Sequence, residues 1–159
     1  MSYQRIILAG LIASIVMGMW EMVVEQVAGG NGFWSPVTYI AATILRDYQQ
    51  VPTPVPFEAL PVVLGLMGHM MNSVLLGAGF ALITRPAHGS RNELIAFGAA
   101  YGIAVMLTMW LVVLPLVDPV MLRVNVVGFF IAHIMWGVGL GIALGWTAEN
   151  ARSLRPARA

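Results

Sequence analysis

Four apolar stretches, residues 6–28, 57–84, 93–115 and about 124–147, constrain this chain more than any motif within it. Each is long enough to cross a hydrocarbon core of about 30 Å, which takes roughly 20 helical residues. In lipid a backbone must satisfy its own hydrogen bonds, so stretches of this length cross as helices. Composition agrees, because 59% of the residues are hydrophobic and 9% charged, too few charges to clothe a soluble domain of 159 residues. The expected fold is all-α: a polytopic membrane protein with four transmembrane helices, forming a single membrane domain over residues 1–159 with no soluble domain outside the spans. The first stretch follows one arginine as a secretory signal does, but its length and its Glu21 and Glu25 read as a retained span.

The spans repeat one another. Gly65, His69, Ser73, Gly77 and Ala81 fall at four-residue spacing, and so do His133, Gly137, Gly141 and Gly145. Met19-Trp20 in the first stretch matches Met109-Trp110 in the third, although the histidines are offset by 64 residues and the tryptophans by 90. The difference predicts two helical hairpins, about 6–84 and 93–147, with 26 extra residues in the first outer loop. Both hairpins start on the same side, so they would be parallel repeats about an axis along the membrane normal.

The extra loop has its own pattern. Ser35 and Pro36 suit an N-cap and a first turn, and Val37, Ile40, Ala41, Ile44, Leu45 and Tyr48 recur at helical spacing. A short amphipathic outer helix is expected over 36–48, lying on the membrane surface or capping the bundle. Val51-Pro52-Thr53-Pro54-Val55-Pro56 should be an extended strut. Ser90-Arg91-Asn92-Glu93 is a capping box at the start of the third span. Pro115 should end that span, and Asp118-Pro119 should cap the next helix after a tight turn.

Charge sets an expected orientation. Every cation is an arginine, and with both termini on one side Arg5, Arg85, Arg91, Arg152, Arg155 and Arg158 stand against Arg46 and Arg123 opposite. Six against two places the N-terminus and C-terminus in the cytoplasm. The basic residues form only this signal, so nucleic acid is not an expected partner, whereas membrane lipids are. Cysteine is absent, which removes disulfide and thiolate chemistry.

Small residues let helix backbones approach in lipid, so Gly65, Ser73, Gly77, Gly137, Gly141 and Gly145 are read as helix-packing positions. They would face the other hairpin, the same hairpin, or a second copy. Intramembrane ionisable groups are costly and are read as functional by default; here they are Glu21, Glu25, His69 and His133. Glu21 lies deeper than Glu25 and should be protonated or paired. The plain reading of each histidine is a neutral imidazole bonded across helices. One sharper reading is a bis-histidine b-type haem on His69 and His133, with Gly65, Ser73 and Gly137 clearing its edge. Another gathers Glu21, Glu25, His69 and His133 around a metal ion or proton path, with Met67, Met70, Met71, Met106, Met109 and Met135 offering sulfur. Methionine is also an ordinary apolar filler. Phosphate loops, nucleophile elbows and His-Glu-x-x-His pairs are missing, so conventional catalysis finds no support and no catalytic residue is assigned.

His69-Met70-Met71-Asn72-Ser73 with Gly77, and Ala132-His133 followed by Gly137 and Gly141, give a chain that resembles the small uncharacterised four-span proteins of bacterial inner membranes. The resemblance implies a multi-pass protein of the bacterial cytoplasmic membrane and brings no activity with it. The leading functional expectation is a non-catalytic accessory or assembly subunit, packing through its small-residue stripes into a homo-oligomer or a larger membrane complex. A haem-carrying electron-transfer subunit and a small metal-ion or proton conduit are the alternatives.

Overall fold

Helices form along the apolar runs, with proline confined to the first turn of an element. In the computed structural model, which describes residues 3–84 and 90–153, these are α1 (Tyr3–Val24), α2 (Ser35–Ala42), α3 (Ala59–Ile83), α4 (Arg91–Thr108), α5 (Leu114–Val117) and α6 (Val126–Ser153), and the described residues contain no strand. Four segments are long and apolar enough to cross a membrane: Ile7–Gly29, Ala59–Ile83, Arg91–Val117 and Val126–Gly145. Arg85, His88, Arg155 and Arg158 lie outside the described residues, as do the side chains of Arg5 and Arg152. Most of the expected arginine asymmetry therefore falls outside what is described.

The bundle is apolar outside and small or polar within. On α3, Met67, Met71 and Leu75 face outward while Ser73, Gly77 and Ala81 are buried, so one helix carries two stripes at the same four-residue spacing. A helix offers that partition when its surroundings are lipid, because large side chains gain nothing by leaving an apolar solvent and close backbone contact gains dispersion. Helix α6 packs most extensively on α4, then α1; α1 also packs on α3. The row α3–α1–α6–α4 is thus continuous. Its ends, α3 and α4, meet through Tyr101, whose hydroxyl donates to Leu76 O at 2.9 Å, and beyond that bridge leave a groove lined by Asn72, Leu75, Tyr101 and Thr108.

Caps and breaks follow local chemistry. Ser90 accepts from the Glu93 amide while Glu93 accepts from the Ser90 amide, completing the capping box that starts α4. Ser90→Ala should cost about 1 kcal/mol, read as increased amide exchange confined to the first turn of α4. Two expected caps are different. Ser35 sits inside α2 and donates to Gly32 O at 2.8 Å, with Trp34 in the cap position. The last span is capped by Asn125, whose Oδ1 accepts from Gly128 N at 2.9 Å, while Asp118 leads into a 3₁₀ turn, Pro119–Arg123. Pro115 does not end its span either. A π turn at Met109–Val113 precedes it, Leu114 N–H reaches back to Met109 O, and the helix continues to Val117. The shifted hydrogen-bond register absorbs a residue that has no N–H to donate.

The expected outer helix is shorter and more deeply placed than its pattern implied. Helix α2 ends at Ala42, a 3₁₀ turn follows at Arg46–Gln50, and Val37, Thr38, Tyr39, Ala41 and Ala42 are almost wholly covered. The helix packs on α3 rather than presenting one wet face. It breaks at Thr43–Leu45, where Gln49 Nε2 takes the Ala42 carbonyl at 3.1 Å and also donates to Asp118 Oδ1 at 2.6 Å, beside Thr43 Oγ1 donating to Asp118 Oδ2 at 3.0 Å. Beyond it the strut from Val51 is extended, and Arg123 clamps it through Nη1 to Val51 O at 2.8 Å. Gly30 and Gly32 adopt φ of 75° and 92°, the left-handed turn that frees the chain from α1.

Candidate functional site

The stripe glycines close one half of the bundle and leave a hollow in the other. On α6, a side chain at Gly137 would overlap the Gly98 carbonyl of α4, one at Gly141 the Leu94 carbonyl, and one at Gly145 the Arg91 side chain. On α3 the stripe divides. Gly65 lies against the Val37 carbonyl of α2, while Ser73 and Gly77 meet α1 near Gly10, with Ser73 Oγ donating to Gly10 O at 2.8 Å. Successive four-residue steps on an α-helix drift by about 40°, so one stripe turns from one neighbour to the next. All six packing positions are therefore used within the chain: Gly137, Gly141 and Gly145 meet α4 and Gly65 meets α2, while Ser73 and Gly77 also touch α6, the histidine-bearing helix of the other hairpin, at Trp136 and Leu140. Gly98 and Gly102 complete the contact and were missed from sequence, although their own four-residue spacing was the signal.

Between these contacts and the loop end lies a cavity of about 290 Å³, walled by all four spans. Helix α1 contributes Met17, Gly18 and Glu21; α3 contributes His69, Asn72, Ser73 and Leu76; α6 contributes Phe129, His133 and Trp136; Val105 and Met109 complete the fourth side. Thr43 and Asp118 stand at its loop end. Past Leu76 and Trp136 no described residue contributes to the wall, because there the glycines bring backbones together. The hollow is blind toward that end. It shares Asn72, Leu76, Val105, Met109 and Val113 with the α3–α4 groove, so its side faces the lipid-exposed seam.

Hydrogen bonds fix the polar groups. Ser73 Oγ accepts from Trp136 Nε1 at 2.6 Å, which satisfies the floor. His69 Nε2 lies 2.9 Å from Ser14 O, and a carbonyl only accepts, so Nε2 carries the hydrogen and Nδ1 keeps its lone pair in the neutral ring. His133 Nδ1 lies 2.8 Å from Phe129 O, which by the same reasoning leaves Nε2 as an acceptor. Phe129 also packs its ring 4.2 Å from the His133 ring, fixing its tilt. Glu21 is 3% exposed, and neither of its carboxyl oxygens has a partner. At the mouth, burial pushes the Asp118 carboxyl above the ordinary aspartate range, against the opposing pull of its bonds from Gln49 and Thr43 and the Arg46 charge.

The four ionisable groups do not form one cluster. Glu25 turns away to accept from Asn31 Nδ2 at 2.7 Å and from Asn125 N at 2.5 Å. Among the described residues no three His, Asp or Glu side chains come together as a metal site. The reason is local: the Glu25 carboxyl folds forward over Gly29, into space a side chain there would fill, and so reaches donors beyond the helix end. Met67 and Met71 face lipid, while Met109, Met17 and Met121 line the hollow. The haem geometry is also unmet. His69 spends Nε2 on Ser14 O, and the clearance expected at Gly65 and Gly137 is filled by the backbones of Val37 and Gly98.

Comparison with family models, curated proteins and solved structures found no match, so function here is argued from geometry alone. Sequence reasoning named Glu21, His69 and His133 as site residues, and the fold brings them to one cavity. It did not name Asp118, Asn72 or Trp136 as parts of a site. Asp118 carried a capping signal that hid its place at the mouth.

Proposed function

We propose that this chain is a non-catalytic subunit of the bacterial cytoplasmic membrane whose bundle binds a small molecule drawn from the lipid phase. The supporting observation is the connection between a blind cavity of about 290 Å³ and the α3–α4 groove, which share five lining residues. A cavity of this size lined by apolar walls and a few fixed polar groups suits a ligand of drug-fragment size, and its lateral seam suits entry from the bilayer. The assembly reading is retained in altered form. The small-residue stripes are occupied within the chain, so a partner would dock on the lipid-facing methionine and leucine surface instead. Two parallel hairpins with an added outer helix, and both termini in the cytoplasm, complete this reading. The internal repeat then left the seam between α3 and α4 bridged by the Tyr101 side chain where its counterpart, α1 against α6, is packed along the helices.

The test uses the protein in lipid vesicles and a brominated ring that quenches tryptophan fluorescence. Both 4-bromobenzyl alcohol and 4-bromobenzylamine should quench Trp136 saturably, with the Trp136→Phe variant identifying the signal. Val105→Phe should fill the seam and weaken both at least about tenfold, as a lost apolar site of this kind does. Quenching that rises linearly with probe in the membrane, and is indifferent to Val105→Phe, would refute the proposal.

A further inference from the structure

The chemistry of the cavity wall is one-sided. Asn72 can donate or accept, but the remaining groups without a bound partner are acceptors once the Glu21 proton is gone: His69 Nδ1, His133 Nε2 and the two oxygens of Glu21. The chain has no lysine, and neither arginine at the loop end enters the wall. Arg46 donates to Val117 O, and Arg123 donates to Val51 O and lies over the Tyr39 ring. Two carboxyl groups thus face a largely apolar hollow with no cationic side chain between them. Asp118 is already bonded to Gln49 and Thr43, which leaves Glu21 as the group without an answer.

Resting on the binding role proposed above, we infer that the ligand is a primary or secondary amine on an apolar body, bound as the ammonium with Glu21 as its counter-ion. An ammonium supplies the donors that the wall lacks, and its charge meets the one carboxyl that has none opposite it. The apolar body lies against Phe129, Trp136 and Met17. Anions are excluded by the same census, since nothing in the wall donates to them with a positive charge.

Occupancy is coupled to a proton. An isolated carboxylate in an apolar medium is costly, so the empty site holds Glu21 as the neutral acid. The free amine in water is already ammonium. On binding, the Glu21 O–H bond breaks, its proton leaves to buffer, and the carboxylate that remains pairs with the ammonium; one positive charge enters and one leaves. The titratable groups that line the cavity with Glu21 are His69 on α3, His133 on α6 and Asp118 ahead of α6, with the Glu25 charge one turn along on α1; α2 lines it with Pro36, Val37 and Ile40, none of them titratable. None places a fixed cation against the Glu21 carboxyl.

The experiment compares 4-bromobenzylamine with 4-bromobenzyl alcohol, which share a ring and differ in charge. The amine should bind about 10- to 100-fold more tightly, the range expected for a charge-assisted bond. Calorimetry in two buffers of different ionisation enthalpy should show one proton released per amine and none per alcohol. Amine affinity should rise about tenfold per pH unit wherever the empty site holds its proton. Glu21→Gln should erase the amine's advantage and its proton release while alcohol binding persists; Glu58→Gln, at an exposed position, should change neither. If Glu21→Gln does not fold, the amine-to-alcohol ratio and the proton count in the unaltered protein still decide. Saturable and equal binding of both probes, or amine binding without proton release, would overturn the ammonium assignment while leaving the cavity as a binding site. Failure of both probes to saturate would overturn the binding role itself.

Discussion

Gly137→Leu should unfold the α4–α6 pair, with a loss of about 3 kcal/mol or more of stability. At this position the obstruction is main chain against main chain: an added Cβ would overlap the Gly98 carbonyl and crowd the Gly102 amide. A flexible side chain can swing aside, but here α4 must move bodily, and Gly141 against Leu94 and Gly102 against His133 pin it on either side. Gly139→Ala is the control on the same helix. Its added Cβ would meet Ala13 at 3.4 Å, an ordinary contact, so the change should be neutral or stabilising by up to about 1 kcal/mol through helix propensity. The measurement is the denaturant midpoint of each variant in detergent at two protein concentrations. A loss independent of concentration places the contact within one chain; a Gly137→Leu protein as stable as Gly139→Ala would remove the account.

This contrast shows what the sequence made legible. Span number and length followed from apolar runs alone, because the physics of a backbone in lipid leaves little choice. The stripes at Gly65 and Gly137 were also readable, but their partners were not. Four-residue spacing says that a face is narrow enough for close approach and is silent on which helix comes to it. Gly65 meets α2, a helix that the same reading allowed to lie on the membrane surface; its near-complete burial depended on Asp118 and Gln49, far apart in sequence, bonding across its end. The site divides in the same way. Glu21, His69 and His133 announced themselves because titratable groups are rare in spans, yet the separation of the Glu25 carboxyl from them required a side chain folded forward over Gly29, which periodicity cannot anticipate. That fold of one side chain carries a carboxyl from the cavity to a loop junction.

That displaced carboxyl should be the second weak point. Glu25→Ala should cost about 3 kcal/mol, because it leaves two buried donors unmet: Asn125 N and one hydrogen of Asn31 Nδ2. The other hydrogen of Asn31 Nδ2 goes to Arg123 O at 2.8 Å, and Asn125 caps α6. Glu25 therefore joins the end of the first span, the glycine turn after it and the start of the last span. A carboxylate at that helix start also opposes the positive end of the α6 dipole. Gly29 belongs to the same arrangement, since a side chain there would occupy the space that the folded-back Glu25 carboxyl fills. Glu25→Gln should cost less, about 1.5–3 kcal/mol, as the amide keeps one acceptor and sets its NH₂ against a donor. Hydrogen exchange locates the effect. Protection should fall at residues 125–129 and 30–32 in both Glu25 variants and in Gly29→Ala, with the α4–α6 glycine contacts unchanged. Uniform loss across α6, or none at its first turn, would show that Glu25 does not hold this junction.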